Sequence, residues 1–132
     1  MGGEHEVVSG GVRYAPETLV TKPDVTAEDF HALDLRVGRV VSAEPFPEAR
    51  RPSLRLRVDF GPVIGELETS AQLTRYDPTE LVGRLVVGAV NLGVRRIARL
   101  ESRFLVLGGL HPDGAVSLLA PDEQLQPGSA VA

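Results

Sequence analysis

The sequence predicts an all-β domain with short helices, folded as a five-stranded Greek-key barrel of the OB-fold type. Three observations predict it: short segments with strand-like patterns, a single helical turn between the third and fourth of them, and turns rich in glycine and proline. The 132 residues suit one domain that buries a core without disulfides. A helix before Leu35 and strands after Gly109 lie outside the barrel, and a second copy of the chain is expected to cover them.

Local patterns predict the elements in order. Thr26 and Asp29 have the spacing of a capping box, so a helix is expected to start there. Period-two alternation then predicts strands, most clearly over 54–60, where arginine occupies the polar face. Asp77, followed by Pro78, predicts a second helical turn. The other predicted strands run from 35 to the prolines at 45 and 47 and over 63–70, 85–90, 104–107 and 116–119, with turns at 61–62, 111–114 and 126–128.

A basic segment, residues 91–102, lies between two almost wholly apolar segments that predict strands buried on both sides. The segment is predicted to form a loop. Asn91 and Ser102 can hydrogen-bond a phosphate or a base edge, so the segment predicts contact with a polyanion. A solvated loop whose arginines pair with nearby acids is the alternative. The arginines of the segment and its end are Arg95, Arg96, Arg99 and Arg103.

The net charge of −4 conceals an uneven distribution. Residues 1–25 mix glycine and proline with acidic and isolated apolar residues, and they predict a flexible acidic extension before a domain at 26–132. Arginine clusters at 50–57 and 95–103. Thirteen of the fourteen basic residues are arginine, which suits bidentate phosphate contacts, although genome composition produces the same bias.

Composition excludes several kinds of site. The chain has no cysteine, so a disulfide, a thiolate zinc site and a cysteine nucleophile are all excluded. The three histidines lack metal-ligand spacing, and we expect no metal and no other cofactor. The sequence shows no convincing acid–base pair and no serine with a nearby histidine to activate it, so we expect that the protein is not an enzyme. The chain shows neither a signal peptide nor an apolar run of membrane-spanning length, which predicts a cytoplasmic protein without membrane insertion.

Short segments between Phe30 and Ala132 match a known family in order and spacing. The matching segments are 34–40, 44–50, 58–61, 69–74, Asn91 with 95–98, and 105–109. On these segments the chain resembles the CsaA family of secretion-related chaperones, whose core is the tRNA-binding OB domain also appended to methionyl-tRNA synthetases. Arg99 departs from the family pattern, because glycine is common there, and so does Gly93-Val94, where proline-rich residues are common.

The resemblance implies a homodimer in which the N-terminal helix and the C-terminal strands form the contact. It also implies binding of tRNA or other structured RNA, binding of unfolded or preprotein polypeptides in connection with export, and no enzymatic activity. Carried over position by position, the RNA-binding residues are Arg39, Arg50, Ser70, Gln72, Asn91, Arg95, Arg96 and Ser102.

Some of these positions have a purely structural interpretation. Ser70 and Gln72 could satisfy backbone groups at a strand end, and Asn91 could hold a turn through an Asx hydrogen bond. Arg55 and Arg57 are interpreted as the outward face of a half-buried strand.

Two functions from different classes remain open. The first is a homodimeric RNA-binding protein that uses the arginine segment and the barrel face. Phe46 and Tyr76 are its candidates for stacking on bases, because Phe60 and Phe104 are expected in the core. Recognition is then expected to depend on RNA shape and phosphates and to be strongly sensitive to salt.

The second function is a molecular chaperone that holds unfolded or export-bound polypeptides without physiological RNA binding. Leu92, Val94 and Ile97 are apolar residues inside a polar segment, and they are its peptide-binding candidates. A third hypothesis, an accessory domain that docks on a synthetase or a secretion factor, rests on the acidic extension.

Overall fold

The computed structural model describes residues 13–132, and residues 1–12 of the predicted extension lie outside the described part. The strands are β1 (Leu35–Pro45), β2 (Leu54–Asp59), β3 (Glu66–Ala71), β4 (Leu85–Ala89), β5 (Arg95–Ile97), β6 (Leu100–Ser102), β7 (Leu105–Val106), β8 (Gly108–Leu110) and β9 (Val116–Leu118). The helices are α1 (Ala27–His31), α2 (Gly61–Ile64) and α3 (Pro78–Leu81), and a 3₁₀ turn covers Pro16–Thr18.

Side-chain caps start two of the helices, as predicted. The Thr26 hydroxyl accepts from the Asp29 amide, and the Asp29 carboxylate accepts from the Thr26 amide, both at 3.1 Å. At α3 the Asp77 carboxylate accepts from the Thr79 amide at 3.0 Å, with Pro78 in the first turn. Because α1 has no buried residue, its capping box is the main local reason that it forms there.

Strand β1 is the middle strand of the five-stranded sheet. It pairs antiparallel with β4 over 35–39 and with β2 over 39–45, giving the sheet order β3-β2-β1-β4-β7. A bulge between Val40 and Ser42 bends β1 where it changes partners. The backbone amide of Arg103 donates to the carbonyl of Glu68 at 2.9 Å and nearly closes the sheet against β3. The predicted five-stranded barrel is confirmed.

Phe60 lies at the centre of the core. Its ring meets that of Phe104 edge-on with centroids 4.9 Å apart, and both rings are buried, as predicted. A Cβ atom added at Gly38 or Gly88 would lie 2.8 Å from the Phe60 ring. These two strand positions therefore need glycine because the backbone lies directly against an aromatic ring.

The C-terminal segment continues the edge of β1 beyond β2. Val37 accepts from the Gly128 amide at 2.7 Å and donates to the Ser129 carbonyl at 2.8 Å, and Val131 donates to the Leu35 carbonyl at 2.9 Å. These bonds attach the C-terminal segment to β1 as a short pairing, in which Ala130 lies opposite Arg36. Gly128 has φ of +94°, which favours glycine in the predicted turn.

The structure corrects three predicted elements. Val63 and Ile64 belong to α2, because Pro62 lies in the first turn of a helix that Gly65, with φ of +77°, ends. The segment predicted as a loop contains the hairpin β5–β6, whose three-residue strands are too short to show a period. Strand β7 has only two residues, and Leu105 is exposed rather than buried.

The described part of the N-terminal extension touches the turn before β9. The Tyr14 amide donates to the Pro112 carbonyl at 2.9 Å, and Ala15 is buried. The residues from there to α1 are exposed. Tyr14 and Ala15 therefore fix one point of this segment on the domain.

The core geometry predicts a large cost for Gly88→Ala. The new methyl group would lie 2.8 Å from Phe60 and 3.0 Å from Phe104, so we expect a loss of about 1–3 kcal/mol in the free energy of unfolding. Urea denaturation followed by circular dichroism measures it. Gly109→Ala is the matched control, since its Cβ would meet nothing nearer than 3.9 Å. Equal midpoints for the two variants would contradict this account of the core.

Candidate nucleic-acid interface

The hairpin β5–β6 presents the basic segment. In its register, Arg95 lies opposite Ser102 and Arg96 lies opposite Glu101. Directly opposed residues share a face of a hairpin, so the two adjacent arginines lie on opposite faces. Arg96 is on the outer face and Arg95 is on the face that carries the buried Ser102.

The hairpin reverses at Ala98 and Arg99. Ala98 has φ of +52°, in the left-handed region that residues other than glycine rarely adopt. Arg99 is exposed at the tip, and no ion pair involves it within residues 13–132. The tip therefore presents a guanidinium group to solvent.

The inner face of the hairpin is attached to β3. Ser102 is buried, and its hydroxyl lies 2.7 Å from that of Thr69 and 3.4 Å from the Phe104 carbonyl. Burial corrects the sequence-based assignment of Ser102 to the RNA contact, because its hydroxyl is used inside the barrel. Ser102 and Thr69 instead hold the hairpin in place.

Asn91 fixes the chain where it enters the hairpin. Its Oδ1 accepts from the Asp34 amide and its Nδ2 donates to the Ala32 carbonyl, both at 2.8 Å. Both ends of the amide are engaged, so Asn91 joins the end of β4 to the junction of α1 and β1. The structure thus gives Asn91 a structural role, though through long-range bonds rather than a local Asx turn.

The other predicted RNA-binding residues are spread over the barrel. Arg39 donates to the Gly83 carbonyl at 2.9 Å. It lies on β1, and β2 lies between β1 and β3, the strand that contacts the hairpin. Ser70 on β3 and Gln72 after it are half-buried. Arg50 is exposed in the segment between β1 and β2. The predicted residues therefore do not form one cluster.

An ion-pair network covers the outer face of β2 and β3. Glu68 Oε2 accepts from Arg55 Nε and Nη2 at 3.0 and 2.8 Å, and Oε1 accepts from Arg57 Nη2 at 2.9 Å. Arg57 Nε also lies 3.8 Å from Glu66. The hydrogen bond from Arg57, followed by that from Arg55, lowers the pKa of Glu68 against the opposing effect of burial. Arg55 and Arg57 are thus on the outward face, as interpreted from the sequence.

A shallow groove runs between this face and the hairpin. Its charged residues are three arginines and three glutamates, whose formal charges cancel, and Leu67 and Leu100 also line it. The groove therefore carries no net formal charge, and Arg95 and Arg96 of the hairpin lie outside its lining. The charged residues of the groove are Arg55, Arg99, Arg103, Glu66, Glu68 and Glu101.

Neither aromatic ring predicted to stack on bases is available. Phe46 is only 5% exposed, so its assignment is wrong. Tyr76 packs against the core, its hydroxyl accepts from the Leu118 amide at 2.9 Å, and Arg84 covers its ring at 5.5 Å. Base stacking on these rings is therefore not part of the interface.

The peptide-binding candidates differ in exposure. Leu92 is 39% and Val94 53% exposed, whereas Ile97 is half-buried. The further exposed apolar side chains include five that lie on or beside α1, on β7, on β8 or just after β9. They are Phe30, Leu33, Leu105, Leu110 and Leu119.

Residues 13–132 contain neither a cluster of metal-ligating side chains nor a helix that could span a membrane. No group of three or more metal-ligating side chains lies together in this part of the chain. None of its helices is long and apolar enough to cross a membrane.

Sequence reasoning missed Glu68 and Thr69. The alternation of Glu66 and Glu68 could have indicated that their side chains share a face with Arg55 and Arg57 of the preceding strand. Nothing local marks Thr69, whose partner Ser102 lies 33 residues away.

Comparisons with known proteins agree with this geometry. Residues 35–130 match the family model described as a putative tRNA binding domain. The crystal structure of a CsaA chaperone protein from Picrophilus torridus has 38% sequence identity and a TM-score of 0.78, over 83% of this chain and all of that one. The chaperone CsaA from Bacillus anthracis has 41% identity and a TM-score of 0.76 over the same shares. The OB-fold prediction is confirmed.

Curated relatives extend far beyond this chain. Methionine–tRNA ligase of Archaeoglobus fulgidus is 34% identical over 115 residues, which are 87% of this chain and 17% of the ligase. That of Porphyromonas gingivalis is 37% identical over 108 residues, 82% of this chain and 16% of the ligase. The chain therefore spans about a sixth of the length of these relatives.

The Glu68 network predicts a specific pH dependence of stability. Because the pKa of Glu68 is lower in the folded state, its stabilisation is complete above the unfolded value of about 4.3 and is lost as the pH falls through the folded value. Carboxylates titrate between about pH 5 and pH 3. Over this range the free energy of unfolding of Glu68→Gln should therefore fall less than that of the wild type. Urea unfolding at each pH measures the loss, and an identical loss in both proteins would refute the role of Glu68.

Proposed function

The chain belongs to the putative tRNA-binding domain family as a CsaA-like member, and on this basis we propose that it binds tRNA or other structured RNA through the hairpin β5–β6 and the adjoining barrel face. The observation that carries the proposal is the hairpin itself. Its inner face is held on β3 by the buried Ser102, and its outer face and tip present Arg96 and Arg99. The proposal assigns a binding role and no catalytic step.

Two arginines of the hairpin and its end share one carboxylate. The Arg96 side chain is 70% exposed and reaches Glu101 at 3.5 Å, while Arg103 reaches the same carboxylate at 3.2 Å. One exposed carboxylate shared between two arginines forms weak pairs that a phosphate can replace. Arg99 adds a third positive charge at the tip, which supports a contact with the RNA backbone.

The proposed interface extends from the hairpin towards the segment between β1 and β2. OB barrels bind ligands across the face of their second and third strands, between the loops that flank it. Here these loops carry Arg99 on one side and Arg50 on the other, and neither forms an ion pair within residues 13–132. Ser70 and Gln72, at the end of β3, are proposed as hydrogen-bonding groups between them.

Recognition should rely on phosphates and shape. Phe46 and Tyr76 are packed inside the fold, so stacking contributes little, and arginine supplies the main contacts. Binding by charge releases counterions from the RNA and therefore weakens steeply with salt. A structured RNA such as tRNA, with its folded backbone, suits this mode.

We propose that the protein acts as a homodimer in the cytoplasm, where tRNA is found, without membrane insertion. The helix α1 buries none of its residues, and Phe30 on it is exposed. Leu110 on β8 and Leu119 after β9 are also exposed. A second copy that covers α1 and the β8–β9 hairpin would bury this apolar surface. In this proposal residues 26–132 form the domain and residues 1–25 an extension.

A second candidate function is a chaperone for unfolded or export-bound polypeptides. The CsaA chaperone structures match over 83% of this chain, and the exposed Leu92 and Val94 beside the hairpin offer apolar contact. An apolar strip next to arginines suits an extended polypeptide with mixed side chains. The two functions use neighbouring surfaces and are separable by mutation.

The first test reverses charge on the hairpin. In Arg96→Glu/Arg99→Glu, two phosphate contacts become repulsive, so tRNA affinity should fall by about 10- to 100-fold with an unchanged melting temperature. Fluorescence anisotropy with bulk tRNA measures the affinity. Arg13→Glu/Lys22→Glu makes the same charge change at exposed residues before α1 and should weaken binding far less. Equal affinities in the hairpin variant and the wild type would rule out this interface.

The second test addresses the chaperone. Leu92→Ser/Val94→Ser removes the exposed apolar strip while leaving Arg96 and Arg99 in place. We expect this variant to bind tRNA like the wild type but to suppress aggregation of a denatured client protein less, as followed by light scattering. If the wild type itself gives no suppression at physiological salt, the chaperone function is contradicted.

A further inference from the structure

Glu68 binds two arginines in the way that arginine binds a phosphate. The Nε and Nη2 atoms of Arg55 meet one of its oxygens at 3.0 and 2.8 Å, and Arg57 meets the other at 2.9 Å. Guanidinium groups engage carboxylates and phosphates with the same planar arrangement of donors. A carboxylate of the protein therefore already occupies the Nε–Nη2 edge of Arg55 and one terminal nitrogen of Arg57.

We propose that Glu68 is an internal competitor of RNA phosphate, which keeps Arg55 and Arg57 from the RNA until a phosphate displaces its carboxylate. The inference rests on the proposed function and deepens it, because it names the residue that limits affinity on the barrel face. Glu68 acts through the arginines and is a positioning residue rather than a contact.

The backbone holds Glu68 in this position. Its carbonyl accepts from the Arg103 amide at 2.9 Å, and β3 pairs with β2 along its whole length. The carboxylate can leave the arginines only by rotation of its side chain. Arg55 and Arg57 are 41% and 47% exposed, so a polyanion can reach both. Their location on the strand face between the two proposed loops places them under a bound RNA backbone.

Other acids on this face do not have the same geometry. Glu66 reaches Arg57 only at 3.8 Å. Glu44 lies opposite Arg55 in the register of β1 and β2, yet its carboxylate has no hydrogen bond within residues 13–132. Glu44 acts on Arg57 through its charge alone. Glu44→Gln thus removes the same charge from the same face while the hydrogen bonds of Glu68 to both arginines stay in place, which makes it the matched control.

The experiment compares tRNA binding by the wild type, Glu68→Gln, Glu68→Ala and Glu44→Gln across a salt series. Release of Arg55 and Arg57 should tighten binding of both Glu68 variants by about 5- to 10-fold at low salt, while Glu44→Gln changes it by less than about 2-fold. The slope of log affinity against log salt should steepen by about 1–2, because two further phosphates are neutralised. A role in stability alone would not change that slope.

A third set of variants connects the gain to the arginines. In Arg55→Gln/Arg57→Gln/Glu68→Gln, with folding checked by its melting temperature, the gain should vanish. The inference is overturned if Glu68→Gln and Glu68→Ala bind like Glu44→Gln, or if the gain survives without the arginines. These results are separate from the charge reversal at Arg96 and Arg99, which alone decides whether the hairpin binds tRNA.

Discussion

The contact between β3 and the hairpin β5–β6 determines how the hairpin presents its arginines. The buried hydroxyl pair of Thr69 and Ser102, 2.7 Å apart, and the backbone bond from Arg103 to Glu68 nearly close the barrel. Buried hydroxyls must be paired, so this contact is specific as well as close. Because it fixes the inner face of the hairpin, it also fixes the direction of Arg96 on the outer face.

Local ion pairs, rather than the net charge, determine which arginines are accessible on the surface. The net charge is −4, yet the hairpin shares a single carboxylate, Glu101, between Arg96 and Arg103. On the strand face, Glu68 instead engages both arginines in reach. The hairpin arginines therefore share one exposed carboxylate, whereas those of the adjoining strand face are engaged by Glu68.

Local chemistry made much of the fold predictable, whereas long-range bonds did not. The caps at Thr26 and Asp77 and the alternation of β2 follow from neighbouring residues, and the structure confirms them. The strands β5 and β6 have three residues each, which is too short for an alternation of polar and apolar residues to indicate a hairpin. Their polar side chains and the family resemblance predict RNA contact for Ser102 and Asn91, but their partners in the fold lie 33 and 57 residues away in the chain. Such pairing exists only once the barrel is closed.

Hydrogen exchange of the full chain with and without tRNA tests the central claim most directly. The account predicts slower exchange in residues 95–103 and in β3 on binding, with little change in the exposed α1 and in β8–β9, since the RNA covers the hairpin and the adjoining barrel face. Protection confined to α1 and the β8–β9 hairpin, with none at residues 95–103, would contradict it.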